Sequence, residues 1–95
     1  MLLGKVVGTV VSSSTNIGIE GARFLLVDKC NQAGVKKGDY LVALDLVGVG
    51  NDELVMIAES TSARETATTA NKPIDAIIIG IIDEIDENET ITYKK

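Results

Sequence analysis

The sequence predicts a mostly β fold, a small barrel or sandwich with one short helix near residues 63–70. Three observations lead to this prediction. The chain has 95 residues, a length that suits a single domain over residues 1–95. Val, Ile and Thr, whose β-branched side chains favour strands, make up 29 of those residues. Short apolar segments alternate with turn residues, as expected for several short strands joined by turns.

Five strands are predicted in order, with a sixth short one at the end of the chain. They lie at residues 2–12, 23–30, 40–47, 53–59 and 74–85, followed by 90–93. Asn and Gly interrupt the chain at residues 16–21, residues 31–38 have the composition of a loop, and residues 48–52 are expected to form a tight turn.

The one predicted helix begins at a capping box. Ser62 can accept a backbone hydrogen bond at the helix start, and Glu65 lies three residues later. We expect the helix to run from Ala63 to about Ala70. Pro73 then ends it, because the residue before a proline avoids the helical region.

The first and fifth strands are apolar on both faces. Alternate residues of a strand face opposite sides, and both alternating sets of residues 2–11 and 74–82 are mainly apolar. An antiparallel strand with one solvated face would alternate apolar and polar residues. One short helix cannot cover two long strands. We therefore expect neighbouring copies of the chain to cover the second face, which predicts an oligomer.

Composition disfavours several classes of function. The chain has no histidine, which excludes Ser-His-Asp and Cys-His nucleophile systems and histidine metal sites. We predict no enzyme activity, no metal and no cofactor. The single cysteine, Cys30, cannot form an internal disulfide and is expected to be a small buried hydrophobe.

The net charge and the length of the apolar runs argue against two kinds of partner, nucleic acid and membrane. A net charge of −5 and only three aromatic residues disfavour nucleic acid as a partner. No apolar run approaches the roughly 20 residues of a membrane helix, so we expect no membrane partner and an intracellular location.

Three local patterns have both a functional and a structural interpretation. Asp45 and Asp75 could act as an acid–base pair, but no nucleophile signature accompanies them. Gly48 and Gly50 resemble part of a phosphate-binding loop, yet no third glycine follows at the dinucleotide spacing, and a hairpin turn explains them better. The acidic run at residues 83–89 lacks the glycine of a calcium loop and is better explained as a solvated strand exit.

Three stretches of sequence resemble a known family. They are LGKVVGTVV at residues 3–11, LVALDLVGVG at 41–50 with ELV at 53–55, and SAR at 62–64 with PIDA at 73–76 and GIID at 80–83. Their order and spacing are similar to those of the EutN/CcmL-type bacterial microcompartment vertex proteins, over nearly the whole chain. The departures, at residues 12–15, Asp52 and Ser60, fall in turns and loops.

The resemblance implies a five-stranded, OB-like β-barrel with a short helix, assembled as a homopentamer. Such pentamers cap the vertices of a microcompartment shell in the bacterial cytoplasm, beside hexameric shell proteins. Hexagonal tiles alone cover a flat sheet, so closing the shell requires five-fold tiles. The alternative is a free-standing OB-like module that binds a small ligand or peptide, and a small carboxylate enzyme is a third hypothesis.

Five residues of the matching motifs are candidate site residues. Gly48 and Gly50 would shape the turn between two strands. Asp45, Arg64 and Asp75 are predicted to make structural or inter-subunit polar contacts, because an unpaired charge beside apolar strands would be costly.

Overall fold

The computed structural model describes residues 1–11, 23–59 and 75–95. These residues form seven strands: β1 (Leu2–Val10), β2 (Arg23–Cys30), β3 (Lys36–Asp45), β4 (Leu54–Glu59), β5 (Ala76–Ile81), β6 (Glu84–Glu87) and β7 (Thr90–Lys94). The predicted helix at residues 63–70 lies outside the described residues. A search of the described ranges finds no helix that could span a membrane.

Five of the strands close into a barrel in the order β1–β2–β3–β5–β4, with β4 paired back to β1. The predicted small five-stranded β-barrel is therefore confirmed. All of its pairs are antiparallel except β3–β5, which is parallel and short, joining Leu44 to Ile77 and Asp45 to Ile78. In the closed barrel each of the five strands has a partner on both sides, which reduces the free edge that makes open sheets prone to unwanted pairing.

The barrel interior is filled by aliphatic side chains. Its buried cluster consists of Val6, Leu25, Val27, Ala43, Val49, Val55, Ile57, Ala76 and Ile78. These residues alternate along their strands, as the two-residue period of a strand requires. Val49 is the exception, because it enters the core from the turn after β3 rather than from a strand.

Strands β6 and β7 form a separate two-stranded hairpin that packs on the outside of the barrel. Ile85 and Tyr93 of the hairpin pack against a second buried cluster formed by Cys30, Leu54 and Ile82. The prediction that neighbouring copies cover the whole second face is thus wrong in part. The chain covers one section of that face itself.

Polar contacts fix the hairpin against the barrel. The Thr92 hydroxyl donates to the backbone oxygen of Gln32 at 2.8 Å, and Lys95 Nζ lies 2.7 Å from a carboxylate oxygen of Glu53. The Tyr93 ring lies over Gly34, where a Cβ would be only 2.6 Å from the ring. The loop between β2 and β3 therefore helps to hold the hairpin.

The largest differences from the predicted strand boundaries are in the last predicted strand and at the start of β3. The single strand expected at residues 74–85 is two strands, β5 and β6, and the acidic run belongs to the hairpin. Its acidic residues are exposed, as predicted, and Asn88 and Glu89 form the tight turn with φ of 53° and 65°. Strand β3 begins at Lys36, four residues earlier than predicted, because Lys36 pairs with Cys30 across a register irregularity.

Gly4 is required by close packing inside the barrel. A Cβ at this position would overlap Val27 Cγ1 and would lie 3.2 Å from Ile57 Cδ1. Both neighbours are fully buried, so they have little room to move.

We predict that Gly4→Ala lowers the free energy of unfolding by about 1–3 kcal/mol, the usual cost of overpacking a core. Gly8→Ala is the matched control, since a Cβ there would meet nothing closer than Leu26 Cβ at 3.9 Å. Denaturant unfolding of the two variants measures the difference. Equal stability of both variants would contradict the packing described for Gly4.

Candidate functional site

The buried carboxylate of Asp45 organises the turn that follows β3. Asp45 Oδ1 accepts hydrogen bonds from the backbone N–H groups of Val47 at 2.8 Å and Gly48 at 3.0 Å. Asp45 Oδ2 accepts from the N–H of Val49 at 3.0 Å. One side chain thus satisfies three consecutive N–H groups of a turn that has left the sheet.

Arg23 completes this arrangement from the start of β2. Its Nη2 donates to Asp45 Oδ2 at 2.5 Å and to the backbone oxygen of Val49 at 2.6 Å. The two residues are register partners across β2 and β3. The Asp45 side chain is 1% exposed whereas that of Arg23 is 49% exposed, so the guanidinium covers the carboxylate from the solvent side.

The pKa of Asp45 is lower than that of an ordinary aspartate. Burial is the largest single influence and favours the neutral form, but the hydrogen bond from Arg23 and the three backbone N–H groups together outweigh it. Asp45 is therefore ionised at neutral pH. Donors occupy both of its oxygens, so the carboxylate is suited to holding the turn rather than to accepting a proton from a substrate.

The structure brings three of the predicted site residues together. Gly48 follows Asp45 in the turn with a φ of +92°, a conformation that favours glycine. Gly50 donates its N–H to Glu53 Oε1 at 2.7 Å, which closes the turn before β4. The predicted turn between the third and fourth strands is present, although β3 ends at Asp45, two residues earlier than expected.

The other two predicted residues are not part of this group. Asp75 is exposed immediately before β5. Arg64 lies outside the described residues, so its predicted polar contact stays a prediction. Neither the acid–base pairing of Asp45 with Asp75 nor a phosphate loop at Gly48 is supported by the geometry of the turn.

Sequence reasoning missed two residues. Arg23 could have been found from its antiparallel position, because a charge at the start of one strand can meet a charge at the end of the next. Asp28 is 4% exposed, and its Oδ1 accepts from the N–H groups of Gly38 at 2.9 Å and Asp39 at 3.2 Å. Its only signal was a lone acid directly after the apolar segment 24–27.

Cys30 is buried beneath the hairpin, as the sequence predicted. Burial, the largest influence, raises the pKa of its thiol, which keeps it protonated at neutral pH. Its Sγ lies 3.4 Å from the backbone oxygen of Asp28. Among the residues described, no group of three or more His, Cys, Asp or Glu is placed to hold a metal ion.

The outer surface of the barrel carries large apolar side chains in contact with solvent. They include Tyr40 and Val42 on β3, Met56 on β4 and Ile79 on β5, with exposed fractions from 37% to 57%. Each lies next in sequence to a residue that faces the core, so the strand period directs it outward. These side chains are candidates for contact with another protein chain.

The whole chain is similar to known proteins. The family profile for "Ethanolamine utilisation protein EutN/carboxysome" matches residues 1–83. The chain belongs to the EutN/CcmL family. The match ends at the last residue before β6, so the barrel lies within the profile and the β6–β7 hairpin follows it.

Relatives in this family are similar over their full lengths. The carboxysome shell vertex protein CcmL of Gloeobacter violaceus is 40% identical over 95 residues, which cover 100% of this chain and 95% of that protein. The microcompartment shell vertex protein EutN of Escherichia coli is 30% identical and covers 100% of both chains.

Solved structures of family members have the same fold. The structure of Gloeobacter violaceus CcmL superposes with a TM-score of 0.92, covering 100% of this chain and 98% of that one. The pentameric microcompartment shell protein GrpN from Rhodospirillum rubrum is 38% identical and superposes with a TM-score of 0.77, covering 92% and 98% of the two chains. The expected family membership is confirmed.

We predict that Asp45→Asn lowers the free energy of unfolding by about 1–3 kcal/mol at pH 7, because the amide nitrogen would face a donor and a buried partner would be left unsatisfied. Asp39→Asn is the matched control. Its carboxylate is exposed and lies 3.6 Å from Lys29, so its removal is expected to cost less than about 0.5 kcal/mol. Denaturant unfolding measures both variants. An equal loss of unfolding free energy in Asp39→Asn and Asp45→Asn would contradict the role of the Asp45 carboxylate in holding the turn.

The lowered pKa of Asp45 predicts how the stability difference between the wild type and Asp45→Asn varies with pH. Its ionised form stabilises the fold above the ordinary aspartate pKa of about 4, and this contribution is lost as the pH falls through the folded-state pKa. The stability gap between the wild type and Asp45→Asn should therefore be largest near neutral pH and should shrink below about pH 4. Unfolding curves at a series of pH values measure it, and a pH-independent gap would refute the electrostatic explanation.

Proposed function

We propose that residues 1–95 form one shell-vertex domain, a structural protein that assembles as a homopentamer and closes the vertices of a bacterial microcompartment shell around encapsulated enzymes. The observation that carries this proposal is the similarity to named shell vertex proteins along the full chain, at 40% identity for a CcmL and 30% for an EutN. The pentameric structure of GrpN, at 38% identity, supports the five-fold assembly.

The outer surface of this chain supports the same proposal. Tyr40, Val42, Met56 and Ile79 are partly exposed on barrel strands. A free monomer would leave these apolar groups in water, whereas association of copies would bury them. A cyclic ring uses two different surfaces of each copy, one for each neighbour.

The proposed role is one of geometry rather than catalysis. Six-fold tiles form flat sheets, and a closed polyhedron needs five-fold tiles at its corners. The partners are therefore further copies of the chain and hexameric shell proteins of the same compartment. The relatives' names as shell vertex proteins support a non-catalytic role for this chain.

We predict that the purified protein has five times the mass of its 10.0 kDa chain. Native mass spectrometry at micromolar concentration measures the subunit number directly. A monodisperse monomer would contradict the proposal and would favour the alternative of a free-standing binding module.

Shell closure tests the role of the ring. Co-expression of this chain with hexameric shell proteins of its own compartment should give closed polyhedral particles in electron micrographs. The same hexamers without this chain should give sheets, tubes or shells with open corners. Equally closed particles in both cases would contradict the vertex role even if the protein is a pentamer.

A further inference from the structure

The β6–β7 hairpin is held on the barrel by side chains rather than by a shared sheet. Among the described residues, β6 and β7 pair with each other, and the five barrel strands pair among themselves. A two-stranded hairpin is at best marginally stable by itself in water. The closed position of the hairpin therefore depends on the side chains at its interface with the barrel.

The chain connects the barrel to the hairpin at Asp83. On the barrel side, the N–H of Ile82 donates to the backbone oxygen of Leu54 at 2.8 Å. On the hairpin side, the backbone oxygen of Asp83 accepts from the N–H of Lys95 at 2.9 Å. Rotation of the backbone between these two hydrogen bonds can move the hairpin as a body without breaking either of them.

The apolar part of the interface is small. Ile85 and Tyr93 are partners in the hairpin register, and this one cross-strand pair packs against Cys30, Leu54 and Ile82. The barrel interior, in contrast, contains nine buried aliphatic side chains. Segments with few buried apolar contacts open at a lower free energy than the core, so the hairpin is expected to open before the barrel does.

The polar contacts across the interface lie at the surface. The Thr92 hydroxyl donates to the backbone oxygen of Gln32 at 2.8 Å, and Gln32 Nε2 donates to Glu87 Oε2 at 3.1 Å. Lys95 Nζ lies 2.7 Å from Glu53 Oε2, and the Lys95 side chain is 50% exposed. Exposed pairs of this kind contribute little individually, so they favour the closed position without making it permanent.

Glu53 joins the hairpin to a fixed part of the barrel. Its Oε1 accepts from the N–H of Gly50 at 2.7 Å, while its Oε2 faces Lys95. Its backbone oxygen accepts from the N–H of Val6 at 3.1 Å. The Lys95–Glu53 ion pair therefore anchors the end of β7 to the turn that precedes β4.

We propose that the β6–β7 hairpin is a latch that opens as one unit about Asp83, with the Lys95–Glu53 ion pair as its clasp. When the latch is closed, the chain presents the acidic hairpin to solvent. When it is open, the chain presents the apolar cluster of Cys30, Leu54 and Ile82. The two states thus offer different surfaces to another protein, and every contact in the argument lies within one chain.

The thiol of Cys30 reports the opening of the latch. Cys30 is the one cysteine of the chain and is 6% exposed. The probe is dithiodipyridine: the Cys30 thiolate attacks its S–S bond, forms a mixed disulfide and releases thiopyridone, which absorbance follows. The full chain should react slowly, at a rate set by the opening equilibrium. At low urea this rate should depend only weakly on urea, because a local opening exposes little surface.

Lys95→Met tests the clasp, because it removes the charge and keeps a side chain of similar length. We expect labelling of Cys30 at low urea to become about two- to fivefold faster, the range for the loss of an exposed ion pair. Lys94→Met is the matched control. Lys94 is exposed and pairs with Glu84 inside the hairpin, so this variant should react at the wild-type rate.

Hydrogen–deuterium exchange tests whether the hairpin opens as one unit. The ladder amides of β6 and β7 should share one protection factor, lower than that of the β4 amides by at least about tenfold. Hairpin amides that are protected as strongly as those of β4 would overturn the latch.

The labelling experiment can overturn the latch in four ways. The first two are a urea dependence equal to that of global unfolding, and a wild-type thiol that reacts as fast as in the unfolded chain. The third is an equal rate for Lys95→Met and Lys94→Met. The fourth is a rate that falls as the protein concentration rises, which would assign exposure of Cys30 to dissociation of copies. None of these results changes the subunit number, so the proposed function is tested separately.

Discussion

A five-stranded barrel has one interior, yet β4 and β5 carry apolar side chains on both faces. Val55 and Ile57 of β4 point into the core, whereas Leu54 and Met56 point away from it. Each large aliphatic side chain that is buried contributes about 1.5–3 kcal/mol relative to its exposed state. The outer face therefore needs a cover as much as the inner face does, and this constraint governs the rest of the structure.

The chain meets part of this requirement by itself. The β6–β7 hairpin follows the region matched by the family profile and lays Ile85 and Tyr93 over Leu54 and Ile82. Its acidic residues Glu84, Asp86, Glu87 and Glu89 are exposed to solvent. Met56 and Ile79 lie beyond the reach of this cover and remain partly exposed. They are the part of the apolar surface that the proposed ring would bury.

The Asp45 turn contributes to the barrel in a different way. Its carboxylate satisfies three backbone N–H groups, and this allows the turn to place Val49 in the core at 2% exposure. Leu46 and Val47, in the same turn, are directed into solvent. The turn thus contributes one side chain, Val49, to the core and leaves two others, Leu46 and Val47, on the outer surface.

The sequence was sufficient for features that depend on local patterns. Alternation and β-branched composition predicted the strands of the barrel, and glycine at positions 48 and 50 predicted the turn before β4. The apolar second face was also visible, as was the family resemblance. The sequence could not separate β5 from β6, because the apolar residues continue through Ile82 whereas strand β5 ends at Ile81.

Contacts between distant residues were the part that local patterns could not predict. The pairing of Arg23 with Asp45 depends on the register of β2 against β3, and the docking of Tyr93 on Gly34 joins two distant segments of the chain. Hydrophobic periodicity identifies an apolar face but does not say which segment covers it. For that reason the hairpin was missed as a cover.

A cryo-electron microscopy structure of the assembled protein would show whether the apolar side chains on the outside of the barrel are buried between copies. We predict a five-fold ring in which Tyr40, Val42, Met56 and Ile79 are buried between neighbouring copies. A particle in which these four side chains remain as exposed as they are in the single chain would contradict it.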